Sequence, residues 1–370
     1  MKILHVVTFI DVKMSYGGPV AVARQLAKIQ RKRNIVSDIL ALSNRSETLQ
    51  EPDNAYREFL FQAKSIFGIK KFSALYSLRA LVWIYRNAGN YDVVHLHFSR
   101  DLFQVSSAII LIVKRLPFVL QTHGMLTSTK KKRIVNLTYD KLIGWIVGKS
   151  SAQLALNSME ASALAGLGWF PRGQEVGNGI EFDSSSVWNN TSSRRVVFLS
   201  RLHARKNPLL FVEAAKMWIE TGPKDVYFEI AGSDEGEGSK VQQEIEKFGS
   251  KRLSFRGGLS HKDSLELLSQ ASLLVLPSVN EPFPMVVLEA LSHGTPVVVT
   301  DSCHISQVIL ENHLGEVSEA NASKIVLAIG NSLSINAPKI EIKNRARKIF
   351  DINEIQKRIE EIYQTAIFRA

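Results

Sequence analysis

The chain has 370 residues and a mass of 41.4 kDa, with 45% hydrophobic and 22% charged residues. That composition excludes disordered, collagen-like and disulfide-scaffold classes. The length exceeds one ordinary core of ~250–300 residues, so two domains are expected. The net charge of +11 is uneven: residues 1–182 hold 24 Lys+Arg against 12 Asp+Glu, and residues 183–370 hold 22 against 23. The first half therefore faces something anionic, such as nucleic acid, phospholipid or a phosphorylated substrate.

Short apolar, β-branched runs alternate with helix-length amphipathic segments along the chain. Runs at 3–9, 38–42, 92–97, 118–123 and 152–157 predict buried parallel strands. Helices are expected near 19–31, 74–87, 101–115, 134–149 and 158–166. Such a series implies a parallel sheet covered on both faces. The polar stretch from Asp183 to Ser193 interrupts it and reads as a linker. Strands then follow at 196–200, 226–231, 253–256, 271–277 and 296–300. Helices fall near 207–220, 239–248, 262–270, 285–293 and 321–332, and the tail from Lys339 looks helical. The fold class is therefore α/β, with two doubly wound domains over residues 1–182 and 194–350, and a terminal helix at 351–370.

Cys303 is the sole cysteine, so no internal disulfide forms, which fits a reducing compartment. Met1-Lys2 leads straight into a strand-like run, so a secretory signal is not expected. The apolar stretch 108–113 is stopped by Lys114-Arg115, well short of the ~20 residues a membrane span needs. In a cytoplasmic chain the sequons at Asn44, Asn136, Asn189, Asn190 and Asn321 are chance.

In open α/β sheets, ligands bind beyond the carboxyl ends of strands, and with two domains the cleft between them is the expected place. Tyr16-Gly17-Gly18-Pro19 follows the first strand and opens a helix, where free N–H groups suit an anion. It is not a dinucleotide fingerprint or a P-loop. His95 and His97 share a strand face, and His123 ends the next predicted strand. Three such histidines could bind zinc, but no carboxylate or cysteine completes a known spacing. His123, before Gly124, is the best candidate for substrate contact.

Arg201 and Lys206 converge on the loop after the first strand of the second half. A forked donor beside a point charge suits a pyrophosphate. The segment Glu281-Pro282-Phe283-Pro284-Met285-Val286-Val287-Leu288-Glu289 offers a second helix start at a strand end. Eight helical residues separate the two Glu backbones by up to ~12 Å, beyond the ~5–9.5 Å of a glycosidase pair. The two carboxylates thus suit two ends of one ligand. Lys130-Lys131-Lys132-Arg133 is either a solvated run or a contact for anionic lipid at ~1 kcal/mol per charge.

Taken in order, these segments resemble glycosyltransferase family 4, retaining nucleotide-sugar transferases with the GT-B fold. The matching residues are Gly17-Gly18, Asp92 to His97, Thr122-His123-Gly124, Asn178-Gly179-Ile180, Ser200-Arg201-Leu202 with Lys206-Asn207, Ala231-Gly232, and Glu281 with Glu289. The resemblance implies that Glu281 meets hydroxyls of the donor sugar and Glu289 the ribose. It implies that Arg201 and Lys206 hold the diphosphate, supported by backbone amides from Phe283 to Val286. Gly17 and Gly18 would approach the donor phosphate, and His123 would lie near the transferred sugar. His97 and the Lys130–Arg133 run fall on the implied acceptor side. Many members have Gly where this chain has Pro284, which removes one N–H donor.

The implied activity is retaining transfer of a hexosyl group from a nucleotide-diphosphate sugar to a saccharide or lipid-linked acceptor. O-antigen, capsule or exopolysaccharide biosynthesis is the expected setting, in the cytoplasm or at the inner face of the membrane. No cofactor is expected: no Asp-x-Asp motif is present, and the Arg/Lys pair stands in for a metal. Nucleic acid is not expected as a partner, because basic and aromatic residues do not interleave. A GT-B nucleotide-sugar epimerase and a non-catalytic nucleotide-sugar binder remain the alternatives.

Overall fold

A computed structural model of the chain describes residues 1–10, 18–50, 56–65, 72–126, 134–182, 194–334 and 338–369. Gly17, the Lys130–Arg133 run and the 183–193 linker lie outside the described residues. The chain divides into two compact units, Met1–Gly179 with Ile352–Ala370, and Ile180–Asp351. The first boundary falls three residues before 182, because Ile180 bridges to Asp351 and donates its N–H to the Phe350 carbonyl.

The first unit contains β1 (Lys2–Phe9), α1 (Gly18–Lys32), β2 (Val36–Ser43), β3 (Glu47–Gln50), β4 (Arg57–Gln62), β5 (Lys64–Ser65), β6 (Leu75–Tyr76) and α2 (Leu78–Asn87). It continues through β7 (Val93–His97), α3 (Leu102–Val113), β8 (Phe118–Gln121), α4 (Ile134–Lys149), β9 (Ala152–Ala155), α5 (Ser158–Gly166) and β10 (Gly173–Glu175). The main sheet runs β10-β9-β8-β7-β1-β2-β4-β3, parallel except for β3 on β4. Every residue of β7, β8 and β9 is buried, as expected for strands covered on both faces. Asp101 caps α3 by accepting the Gln104 N–H at 2.9 Å, and Asn157 caps α5 by accepting the Glu160 N–H at 2.9 Å.

The second unit contains β11 (Arg194–Leu199), α6 (Pro208–Thr221), β12 (Val226–Ala231), α7 (Gly238–Phe248), β13 (Leu253–Phe255), α8 (His261–Gln270), β14 (Leu273–Leu276) and α9 (Met285–Ser292). It continues with β15 (Val297–Thr300), α10 (Ser306–Glu311), β16 (Gly315–Ser318), α11 (Ala322–Ser334) and α12 (Lys339–Phe350). The last helix, α13 (Ile352–Phe368), belongs to the first unit and packs on α1, β7 and β8. The sheet of the second unit runs β13-β12-β11-β14-β15-β16, all parallel. Its order reverses between β11 and β14. In the first unit the order reverses between β1 and β7. Those two points are where the topology opens a crevice.

Several expectations need correction. The strand predicted over 118–123 stops at Gln121, because His123 and Gly124 take φ of 50° and 73° and turn the chain. The helix predicted from 74 begins at Leu78: residues Phe72–Ala74 form a 3₁₀ turn, and Leu75–Tyr76 pairs with Lys64–Ser65. The strands β3, β4, β10 and β16 and the helix α10 were not expected. β10 (GQE) and β16 (GEVS) carry no apolar run to announce them.

Candidate functional site

In the second unit, the loops after β11 and β14 flank the point of reversal and carry the charged residues. After β11 the chain passes Arg201 and enters a 3₁₀ turn, Ala204–Lys206. The His203 ring accepts the Arg205 N–H, and Asn207 adopts φ of 56°, which redirects the backbone into Pro208 and α6. Gly232, just after β12, is required here. At φ of 152° a Cβ would sit 1.7 Å from the Ser200 carbonyl oxygen.

This turn aims Lys206 inward. Its ammonium lies 2.5 Å from a Glu281 carboxylate oxygen, and Arg205 reaches the same oxygen at 3.3 Å. Arg205 also donates to the Asn280 carbonyl at 3.0 Å. Burial lowers the Lys206 ammonium pKa, and the Glu281 charge opposes that shift. The Glu281 backbone is fastened to the loop after β15: it bridges to Cys303, and its carbonyl accepts the His304 N–H at 2.9 Å. Burial pushes the Cys303 thiol up to about 12, so it stays protonated and is no nucleophile near neutral pH. Arg201 lies at the same loop, but it pairs with Glu235 at 2.9 Å rather than with Glu281.

Beyond Glu281 the two prolines lead into α9. Pro284 stands just before the first helical residue, at φ −80°. Its missing N–H therefore costs nothing within the helix, and the N–H groups of Met285 and Val286 open the first turn without intrahelical acceptors. Phe283 packs edge-on against Phe350, with ring centroids 6.2 Å apart, which fixes the entry to the helix. Glu289 sits one turn into α9, half-buried, and its carboxylate has no hydrogen-bond partner among the described residues. Desolvation raises its pKa to about 7. The second unit thus sets a cation pair, a buried acid, a helix start and an unsatisfied acid around one crevice, a set that matches a diphosphate with a polyhydroxylated group at each end.

In the first unit the point of reversal holds histidines instead. His5 on β1 is in register with His95 on β7, and His97 lies two residues further along the same face. The rings of His95 and His97 stack at 4.6 Å, and those of His97 and His123 at 5.1 Å. His97 bonds His123 at 2.8 Å and His5 at 3.2 Å. His95 bonds the Tyr363 hydroxyl at 2.6 Å. Burial lowers the pKa of all four, His5 to about 4 and His123 to about 3, so all are neutral near pH 7. Glu160 holds the His123 turn: one carboxylate oxygen accepts from the Thr122 hydroxyl and, at 2.5 Å, from the Gly124 N–H, and the other accepts the Leu156 N–H at 2.8 Å.

His5, His95 and His97 each offer a ring nitrogen within 4.8 Å of the others. Both nitrogens of His5 and both of His97 are already hydrogen-bonded, however, and among the described residues only the second nitrogen of His95 lacks a partner. The cluster is built as a hydrogen-bonded network rather than a vacant metal cage.

Of the residues singled out in the sequence, the structure joins Lys206 to Glu281, and His97 to His123. Gly18 is the first residue of α1 and is exposed, and among the described residues a Cβ there would meet nothing within 4 Å. Sequence reasoning missed Arg205, Glu160 and His5. Arg205 adjoins Lys206 and could have been read from that neighbour. Glu160 shows only as a capping acid three residues after Asn157. His5 required the strand register.

Residues 16–183 match the family described as Glycosyltransferase Family 4, and residues 180–349 match Glycosyl transferases group 1. The chain is 25% identical over 331 residues to an Escherichia coli UDP-Gal:alpha-D-GlcNAc-diphosphoundecaprenol alpha-1,3-galactosyltransferase, covering 84% of this chain and 83% of the relative. It is 23% identical over 373 residues to a phosphatidyl-myo-inositol mannosyltransferase of Mycobacterium leprae, covering 94% and 93%. Sucrose-phosphate synthase from Thermosynechococcus elongatus superposes with a TM-score of 0.78 over 100% of both chains at 15% identity.

Proposed function

The chain belongs to glycosyltransferase family 4 and is a nucleotide-sugar-using hexosyltransferase of GT-B fold, and from that premise we propose that it moves a hexosyl group, with retention at the anomeric carbon, to a lipid-linked saccharide in surface-polysaccharide assembly. The observation that carries this reading is the buried Lys206–Glu281 pair at the β11/β14 reversal, with Arg205 on the same carboxylate. The acceptor class follows the E. coli and mycobacterial relatives, whose names specify lipid-borne acceptors.

The leaving group is a nucleoside diphosphate. Lys206, Arg205 and Arg201 supply fixed positive charge for it, and the N–H groups of Met285 and Val286 add the helix start. Glu281 accepts from hydroxyls of the donor hexose, and Glu289 accepts from the ribose. No side chain here is a ready nucleophile, so the acceptor hydroxyl attacks from the face the phosphate leaves. No metal takes part, because the cations do the work of one. His123 contacts a saccharide.

The enzyme works in the cytoplasm against the inner face of the membrane. Among the described residues no helix is long and apolar enough to cross a membrane. The support is a surface of the first unit: Leu78, Val82 and Tyr85 are exposed on one face of α2, beside exposed Val113, Arg79, Arg86 and Arg115.

A panel of nucleotide sugars, scored for thermal stabilisation and then for transfer to a polyprenyl-diphosphate saccharide, tests the reading. Transfer with a retained anomeric configuration, unaffected by EDTA, is expected. Epimerised free sugar without acceptor, or strict metal dependence, contradicts it.

A further inference from the structure

The histidines of the first unit form part of a longer hydrogen-bonded chain. Beyond His5, the His5 Nε2 meets Gln30 Oε1 at 3.0 Å, Gln30 Nε2 meets Gln356 Oε1 at 3.2 Å, and Gln356 Nε2 meets Glu360 Oε1 at 3.2 Å. Arg33 grips both oxygens of Glu360, at 2.6 and 3.1 Å. His5, Gln30 and Gln356 are 0% exposed, His97 is 1% and His123 is 9%. The chain therefore runs from a surface ion pair through a sealed interior to one ring that reaches solvent.

Heavy-atom positions alone do not assign the donors. The chemistry at the Glu360 end does. A carboxylate paired with Arg33 only accepts, so Gln356 must turn its NH₂ toward it and its oxygen toward Gln30. Gln30 then donates to Gln356 and offers its oxygen to His5. His5 must donate from Nε2. A neutral imidazole has one N–H, so His5 Nδ1 accepts, and His97 Nε2 donates to it. His97 Nδ1 is then the acceptor for His123, whose proton sits on Nε2. Each step leaves one choice.

We propose that this one-way chain locks His123 in its Nε2–H tautomer and leaves Nδ1 as an acceptor for a saccharide hydroxyl, which makes Gln30 and Gln356 positioning residues. Among the described residues His123 Nδ1 has no hydrogen-bond partner, while Nε2 is held at 2.8 Å by His97. The first unit thereby discriminates by chemistry: a ligand hydroxyl that donates is satisfied, and a deoxy or O-methyl analogue is not. Burial keeps the rings neutral, and among the described residues none of them bonds directly to a carboxylate. Gln356 lies on α13, so the terminal helix takes part in setting the state of a ring on the β8 turn.

The functional consequence rests on reading His123 as a saccharide contact; the tautomer does not. Selective ¹⁵N-histidine labelling tests the tautomer, with the His123 signals identified through His123→Gln. At pH 7.5 the wild type should show a protonated Nε2 and a bare Nδ1. Gln30→Met should give mixed tautomers and a roughly three- to tenfold lower kcat/KM for transfer, the loss of one hydrogen bond. A wild-type His123 protonated on Nδ1, or on both nitrogens, overturns the proposal, and so does a Gln30→Met spectrum identical to wild type. A tautomer that shifts in Gln30→Met while transfer stays unchanged upholds the chain and contradicts only the saccharide contact. Should Gln30→Met not fold, the wild-type spectrum still decides.

Discussion

The two points of sheet reversal share a topology and differ in electrostatics. At β11/β14 a buried ammonium and a buried carboxylate meet at 2.5 Å, with a second cation alongside. At β1/β7 three neutral rings, those of His5, His97 and His123, are linked by hydrogen bonds. The first arrangement suits stabilising charge that develops on a leaving group. The second suits recognising an uncharged hydroxyl. The fold supplies the crevice, and the residues at the strand ends decide what it does.

The comparison can be broken most severely in the second unit. Lys206→Ala or Glu281→Ala should each lower the transfer rate about 10²–10³-fold, as removal of one preorganised charge-stabilising group does. Circular dichroism should show both variants folded; a variant turning over normally would remove its residue from the site. In the first unit the corresponding acid is structural. Glu160→Ala deletes the acceptor of three hydrogen bonds that hold the His123 turn. It should cost about 2–3 kcal/mol of stability in denaturant titration, and an unchanged midpoint would show the turn stands without it.

Glu289 sharpens the contrast through pH. Its carboxyl is raised from 4.5 to about 7 in the folded chain. Between those values the folded protein holds a proton that the unfolded chain has released, so stability falls as pH rises from 4.5 through 7 and is level above. Glu289→Gln removes this loss. Its advantage over wild type should therefore grow across that window and then stay constant, as followed by thermal melts at a series of pH values. A difference independent of pH would mean the carboxyl titrates normally. The smallest effect is at the surface. Wild-type protein should float with anionic liposomes at low salt and less so at high salt. Flotation unaltered in Arg79→Glu/Arg86→Glu would place the contact away from α2.

Much of the second unit's site was legible in the sequence because it is local. Lys206 and Glu281 each follow an apolar run that could only be a strand, and the chemistry of strand-end loops does the rest. What escaped was long-range or unannounced. Glu281 and Lys206 are 75 residues apart, and their direct pairing shows only once β11 and β14 lie side by side. His5 sits in an apolar run and gains meaning through its register with His95. Gln30 and Gln356 are 326 residues apart and look like ordinary helical glutamines until α13 packs on α1. The turn at His123 was read as strand because apolar residues precede it and nothing in a histidine signals φ of 50°.

The central claim is that the β11/β14 crevice holds the nucleoside diphosphate. It is tested most directly by calorimetric titration of wild type and Lys206→Ala with the nucleotide sugar that stabilises the wild type best. The variant keeps Arg205 to neutralise Glu281, so its fold should survive. The account predicts affinity at least about tenfold weaker in the variant, the loss of a charge-assisted hydrogen bond to phosphate. An unchanged Kd would contradict it.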